Sequence, residues 1–132
     1  MLFQPDIETM DASARADVQV RVLRDLVARL RTTDHSYWAP KLSGIQSDDL
    51  RSMDDISSLP FTTKAEMRDQ FPFGMLAVPL SDTVRVHASS GTRGKPTIVA
   101  YTRSDIEVFA DTNARAIACA GGTPDDVLHV AY

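Results

Sequence analysis

The sequence predicts an α/β chain in which small helices precede a strand–loop–strand–helix–strand segment. Three observations carry this. Apolar residues recur at helical spacing from about Ala14 to Arg31, the pattern switches to two-residue alternation at Thr83–Ala88, and helical spacing returns from Ser104 to Ala120. Residues 1–80 are therefore expected to form a helical amino-terminal region, and residues 81–132 an α/β segment.

The first helix is marked by Val18, Val22, Leu23, Leu26, Val27 and Leu30 on one face. Arg15, Arg21, Arg24, Arg29 and Arg31 fill much of the remainder, but Asp17 and Asp25 are interleaved with them, which reads as a solvated face rather than a phosphate or membrane surface. His35-Ser36-Tyr37-Trp38-Ala39-Pro40 should stop the helix, because a proline disfavours helical angles at the residue before it. His35 reads as a surface or capping residue. Ser52 opens a short helix that ends by Leu59-Pro60, and Thr63-Lys64-Ala65-Glu66 matches a capping box.

After Phe71-Pro72-Phe73-Gly74 the character changes. Thr83-Val84-Arg85-Val86-His87-Ala88 alternates as a strand does, Gly91 and Gly94 flank a tight connection, and Thr97–Thr102 resumes a β-rich run. Ser104-Asp105-Ile106-Glu107 offers a second capping box. Ile106, Phe109, Ala110, Asn113, Ala114 and Ile117 then share a helical face that Gly121-Gly122 ends. A turn at Thr123-Pro124-Asp125-Asp126 leads to a final expected strand, Val127 to Tyr132.

Composition sets bounds on function. With 43% hydrophobic and 24% charged residues, 132 residues make an ordinary globular chain able to bury a core. A net charge of −4 supplies no field for a polyanion, so a nucleic-acid partner is not expected. Cys119 is the sole cysteine and lies between Ala118 and Ala120, which points to a small buried apolar residue rather than a reactive thiol, in a reducing compartment. The start lacks a basic, apolar secretory signal, and no stretch approaches the ~20 apolar residues of a membrane span. A soluble, cytoplasmic protein without a membrane partner is the expectation.

Chemistry concentrates in Ser89-Ser90-Gly91-Thr92-Arg93-Gly94-Lys95-Pro96. Glycines free the backbone to turn amides toward one point, hydroxyls add donors, and Arg93 and Lys95 add positive charge, a cradle suited to phosphate oxygens. The spacing excludes a Walker A loop: Ser89 stands where a glycine is needed, and Pro96 where Ser or Thr would hold magnesium. On composition alone a simple Gly/Ser-rich hairpin turn is an equal reading.

The order of residues goes further. Ser-Ser-Gly-Thr-x-Gly-Lys-Pro resembles the phosphate-binding signature of the adenylate-forming superfamily. Leu59-Pro60-Phe61-Thr62-Thr63-Lys64, Phe71-Pro72-Phe73-Gly74, Arg85–Gly91 and Lys95-Pro96-Thr97 leading to Tyr101-Thr102-Arg103 resemble phenylacetate-CoA ligases within it. Most members of the superfamily carry a basic residue where Thr97 stands, and the family usually has threonine where this chain has Arg93, a charged fork that either strengthens anion capture through bidentate bonds or fills space the nucleotide needs. His87 also matches the family, yet reads equally as a structural residue ending a strand.

This resemblance implies an ATP-dependent aryl-acid CoA ligase of phenylacetate catabolism. A carboxylate would attack the α-phosphate of ATP, and the CoA thiol would then displace AMP. Residues 81–132 would open the AMP-binding domain, with phosphate-binding loop 89–96 formed by Ser89, Ser90, Gly91, Thr92, Arg93, Gly94 and Lys95. Relatives of the family are about three times longer, so no catalytic residue and no metal ligand is assigned to this chain, and the magnesium ligand is expected beyond it. The implied partners are an aryl acid, ATP and CoA, with a homodimer expected only of the full-length enzyme. The expectation is an amino-terminal fragment inactive by itself; the alternative is a non-catalytic nucleotide- or anion-binding remnant or interaction module.

Overall fold

A computed structural model describes residues 2–32, 37–89 and 94–130. In chain order the elements are α1 (Pro5–Glu8), α2 (Ala12–Thr32), α3 (Trp38–Lys41), α4 (Lys64–Asp69), β1 (Thr83–Ala88), β2 (Ile98–Thr102) and α5 (Arg103–Cys119), with 3₁₀ turns at Ser47–Asp49, Met53–Ser58 and Leu80–Asp82. They fall into two compact units, residues 11–103 and residues 1–10 with 104–132. The helical residues from 11 onward and the β-hairpin share one unit.

In the 11–103 unit α2 forms as its apolar repeat predicts, and it rests against α3 and the 3₁₀ turns at 47–49 and 53–58. Its stripe is covered only in part: Val27 and Leu30 are buried, whereas Val18, Val22 and Leu26 remain more than a third exposed. Leu42 and Leu50 complete the buried set of this unit among the described residues, with Leu50 at 0% exposure. Val18, Val22, Leu23 and Leu26 with Met53 and Ile56 line an open groove of about 340 Å³.

One expectation is overturned at α3, where Ala39-Pro40 lies inside a helical turn instead of outside one. Pro40 occupies the third position of that turn, where an amide has no intrahelical acceptor, so the missing N–H costs no bond. The turn is tied down from its side chains. Trp38 Nε1 donates to the Met75 carbonyl at 2.9 Å, and Lys41 Nζ donates to Glu66 Oε1 at 2.5 Å and to Tyr37 OH at 2.7 Å. His35 lies outside the described residues.

The Thr63 capping box of α4 is present: the Glu66 amide donates to Thr63 Oγ1 at 3.2 Å, and the Thr63 amide donates to Glu66 Oε2 at 2.7 Å. The hydrogen bond from Lys41, then those from the Thr63 amide and hydroxyl, pull the Glu66 carboxyl down from an ordinary 4.5 to about 2. A carboxylate depressed in the folded state stabilises it above its ordinary value and loses that contribution as pH falls toward the folded one. Glu66→Gln is accordingly expected to lower stability at pH 7 and to lose its disadvantage between about pH 4.5 and pH 2. Urea midpoints of both chains at pH 7, 4.5 and 2.5 check this, and a constant difference across the series would show that the carboxylate charge contributes nothing.

β1 and β2 form a two-stranded antiparallel sheet, with pairs Arg85↔Tyr101, Val86↔Ala100, His87↔Val99 and Ala88↔Ile98. The register shifts between Thr83 and Arg85, so two steps of β1 meet one of β2. His87 meets the edge of the diagonal Tyr101 ring at 5.0 Å between centroids, a cross-strand packing role.

In the other unit the Gln4 amide group bridges one face of α5, donating to Asp111 Oδ2 at 3.1 Å and accepting from Arg115 Nε at 2.8 Å. α5 begins at Arg103, so Ser104 lies inside its first turn instead of capping it; the helix ends as predicted, but Cys119 in its last turn is exposed rather than buried. The Gly122 amide donates to Ile117 O and the Gly121 amide to Ala118 O, with Gly121 at φ +95°, a Schellman closure. The expected last strand does not form over 127–130, because no strand of this unit offers those residues a ladder among the described residues. Residues 131 and 132 lie outside the description.

Candidate functional site

The anion-loop sequence connects β1 to β2. Ala88↔Ile98 is the last ladder pair, and beyond it the Ser89 amide donates to the Thr97 carbonyl at 3.0 Å while the Thr97 amide donates to Ser89 Oγ at 3.1 Å. The hairpin ladder therefore closes at 89 and 97. This closure engages the Ser89 amide within the hairpin, leaving the hydroxyl hydrogen of Ser89 as its donor for a ligand. Such a division between amide and hydroxyl is not visible in sequence.

Of the residues predicted for the loop, Ser89, Gly94 and Lys95 are described; Ser90, Gly91, Thr92 and Arg93 lie outside the described residues. Gly94 has φ +98°, a left-handed conformation that strains any residue with a Cβ, which accounts for glycine there. Thr97 Oγ1 is buried with no hydrogen-bond partner among the described residues, so a free hydroxyl stands beside the loop's exit. Lys95 is exposed, with its ammonium over the Phe71 ring at 5.7 Å from the centroid. The Lys95–Phe71 contact is one that spacing arguments miss: nothing local relates the turn after α4 to the segment after β1.

The arginines of α2 gather elsewhere. Arg21 and Arg24 share a cleft of about 500 Å³ with Arg51, but Asp17, Asp25 and Asp48 line it too, and Arg24 is paired with Asp48. The charges balance, in keeping with a solvated ion-pair face. Among the described residues no group of three or more His, Cys, Asp or Glu side chains could hold a metal, and no helix is long and apolar enough to cross a membrane.

No protein-family model matches the chain. Individual proteins do. A phenylacetate-coenzyme A ligase of Thermus thermophilus is 42% identical over 135 residues, covering 100% of this chain and 30% of that protein. One of Aromatoleum evansii is 40% identical over 131 residues, covering 96% of this chain and again 30% of the relative. One of Escherichia coli is 50% identical over 90 residues, 68% of this chain and 21% of that protein. Among solved structures, a 2-hydroxyisobutyryl-CoA ligase in complex with 2-HIB-AMP and CoA aligns with a TM-score of 0.73 and 29% identity, over 84% of this chain and 25% of that one. The chain thus spans about a third or less of the length of the proteins it matches.

Proposed function

We propose, on the premise that this chain belongs to the phenylacetate-coenzyme A ligase family, that its 89–96 loop holds the β- and γ-phosphates of ATP in an aryl-acid CoA ligase. In this reading residues 1–80 are the helical amino-terminal region and residues 81–132 open the AMP-binding domain. The observation that carries it is the hairpin closed at Ser89 and Thr97. Next to that closure stand a left-handed Gly94 and an exposed Lys95, with a buried hydroxyl at Thr97 without a partner among the described residues.

The chemistry asked of these residues is positioning and charge stabilisation. A carboxylate oxygen of phenylacetate or a similar aryl acid bonds to the α-phosphorus while the bond to pyrophosphate breaks; the CoA sulfur then bonds to the acyl carbon and AMP leaves. As pyrophosphate departs, its growing negative charge is met by the Lys95 ammonium, the Ser89 hydroxyl and the amides of the loop. No general base is needed, because a carboxylic acid is already ionised near pH 7. Ser90, Gly91, Thr92 and Arg93 complete the cradle in this reading. The described side chains do not fit a magnesium ion: no group of three or more His, Cys, Asp or Glu gathers among them.

The test is a chimaera in which residues 1–132 replace the matching segment of the Thermus thermophilus relative. Lys95→Ala in it should raise the KM for ATP more than the KM for the acid, whereas a rise confined to the acid would displace the loop from the phosphates. The 132-residue chain by itself should show no carboxylate-dependent ATP–pyrophosphate exchange. Exchange above background with phenylacetate would mean that the chain holds a complete adenylating site.

A further inference from the structure

The ring under the Lys95 ammonium is mounted on a fixed platform. Past α4 the Phe71 amide donates to Arg68 O at 3.2 Å, and the Gly74 amide donates to Gln70 O at 2.7 Å. A Cβ at position 74 would meet that same oxygen at 2.7 Å, so only glycine lets the chain double back this closely. Beyond it the Met75 carbonyl accepts the Trp38 indole N–H at 2.9 Å, anchoring the far end of the turn to α3. Lys95, by contrast, is exposed on a four-carbon stem next to the left-handed Gly94.

We infer that Phe71 is a positioning residue for Lys95, a ring that orders the ammonium before a phosphate arrives. This rests on the reading above that Lys95 meets phosphate. At 5.7 Å from the centroid the ammonium lies within the roughly 6 Å reach of cation–π attraction. The ring engages one side of the group and leaves its other N–H donors for phosphate oxygens. Restricting the lysine rotamers in advance removes part of the ordering cost that binding would otherwise incur. The hold needs no titration and no second charge, and it links the Trp38-anchored turn to the loop of the β-hairpin.

Pyrophosphate serves as the probe on the whole chain, with affinity read by calorimetry and the Lys95 ε-methylene protons followed by NMR, assigned through Lys95→Gln. In the unliganded chain those protons should be shifted upfield by the ring, and Phe71→Leu should abolish the shift and weaken pyrophosphate binding by about 2–5-fold. Phe71→Tyr should keep both the shift and the affinity, and Phe71→Leu should have no effect on binding when Lys95 is already Gln. Binding that Lys95→Gln weakens but Phe71→Leu does not would overturn the role of Phe71 alone. Equal losses with and without Lys95 would reduce it to a structural residue. Pyrophosphate binding indifferent to Lys95→Gln, or none at all, would overturn the phosphate reading of the loop and this inference with it. Should Phe71→Leu fail to fold, the ring shift in the unsubstituted chain and the behaviour of Phe71→Tyr decide, and an unshifted Lys95 overturns the inference.

Discussion

Leu50→Ala is expected to unfold the 11–103 unit at 25 °C under conditions where the unsubstituted chain is folded. Leu50 has no solvent exposure, and the buried apolar set of its unit among the described residues is completed by Val27, Leu30 and Leu42 alone. Truncating a buried leucine loses both the transfer energy of the deleted carbons and the contacts around the cavity left behind, about 2–5 kcal/mol. A small domain is held by only ~5–15 kcal/mol, and one with so few buried side chains belongs at the low end. Trp38 is the single tryptophan and sits in the same unit, so its fluorescence reports on this unfolding in urea. A Leu50→Ala unfolding free energy within about 1 kcal/mol of that of the unsubstituted chain would mean that the surroundings collapse into the space and that the core does not depend on this residue.

Concentration-dependent self-association is the second large effect expected. Val127 is 98% exposed, with Leu128 and Val130 about two-thirds exposed in the same run, and in the other unit Phe61 is 92% exposed. Val84 and Val86 are about half exposed on a strand whose outer edge has no partner among the described residues. Covering a valine, leucine or phenylalanine side chain is worth about 1.5–3 kcal/mol, and an open strand edge supplies a template for pairing. Apolar runs of this kind mark association surfaces. Light scattering should show an apparent mass that rises with protein concentration, and Val127→Ser with Leu128→Ser should lower it. A monodisperse monomer whose thermal transition ignores concentration would show that these side chains do not drive association.

The local devices were legible because each operates over a few residues. Thr63 and Glu66 announce a capping box three positions apart, and the hydrogen bonds are there. Gly121-Gly122 announces the end of α5, and the Schellman bonds close it. Alternation across Thr83–Ala88 and Thr97–Thr102, broken by glycines, foretells a hairpin, and the ladder pairs those residues. Where prediction and structure part, a neighbour outside the local window decides. Ala39-Pro40 turns helically because the proline falls where its missing amide costs no bond and Trp38 and Lys41 are held by Met75 and Glu66. Val127–Val130 has a strand's composition but no ladder partner among the described residues, and composition cannot supply one.

What the sequence determined by itself is the order of elements as far as α5 and the local closures at Thr63–Glu66 and Gly121-Gly122, since propensity, capping and turn geometry are written in adjacent residues. Tertiary structure alone decided which part of the α2 stripe is covered, that the Ser89 amide is engaged in closing the hairpin, and that Lys95 stands over Phe71. Burial, cross-strand closure and an aromatic ring beneath a lysine are set by residues far apart in the chain, and chain order does not encode their meeting.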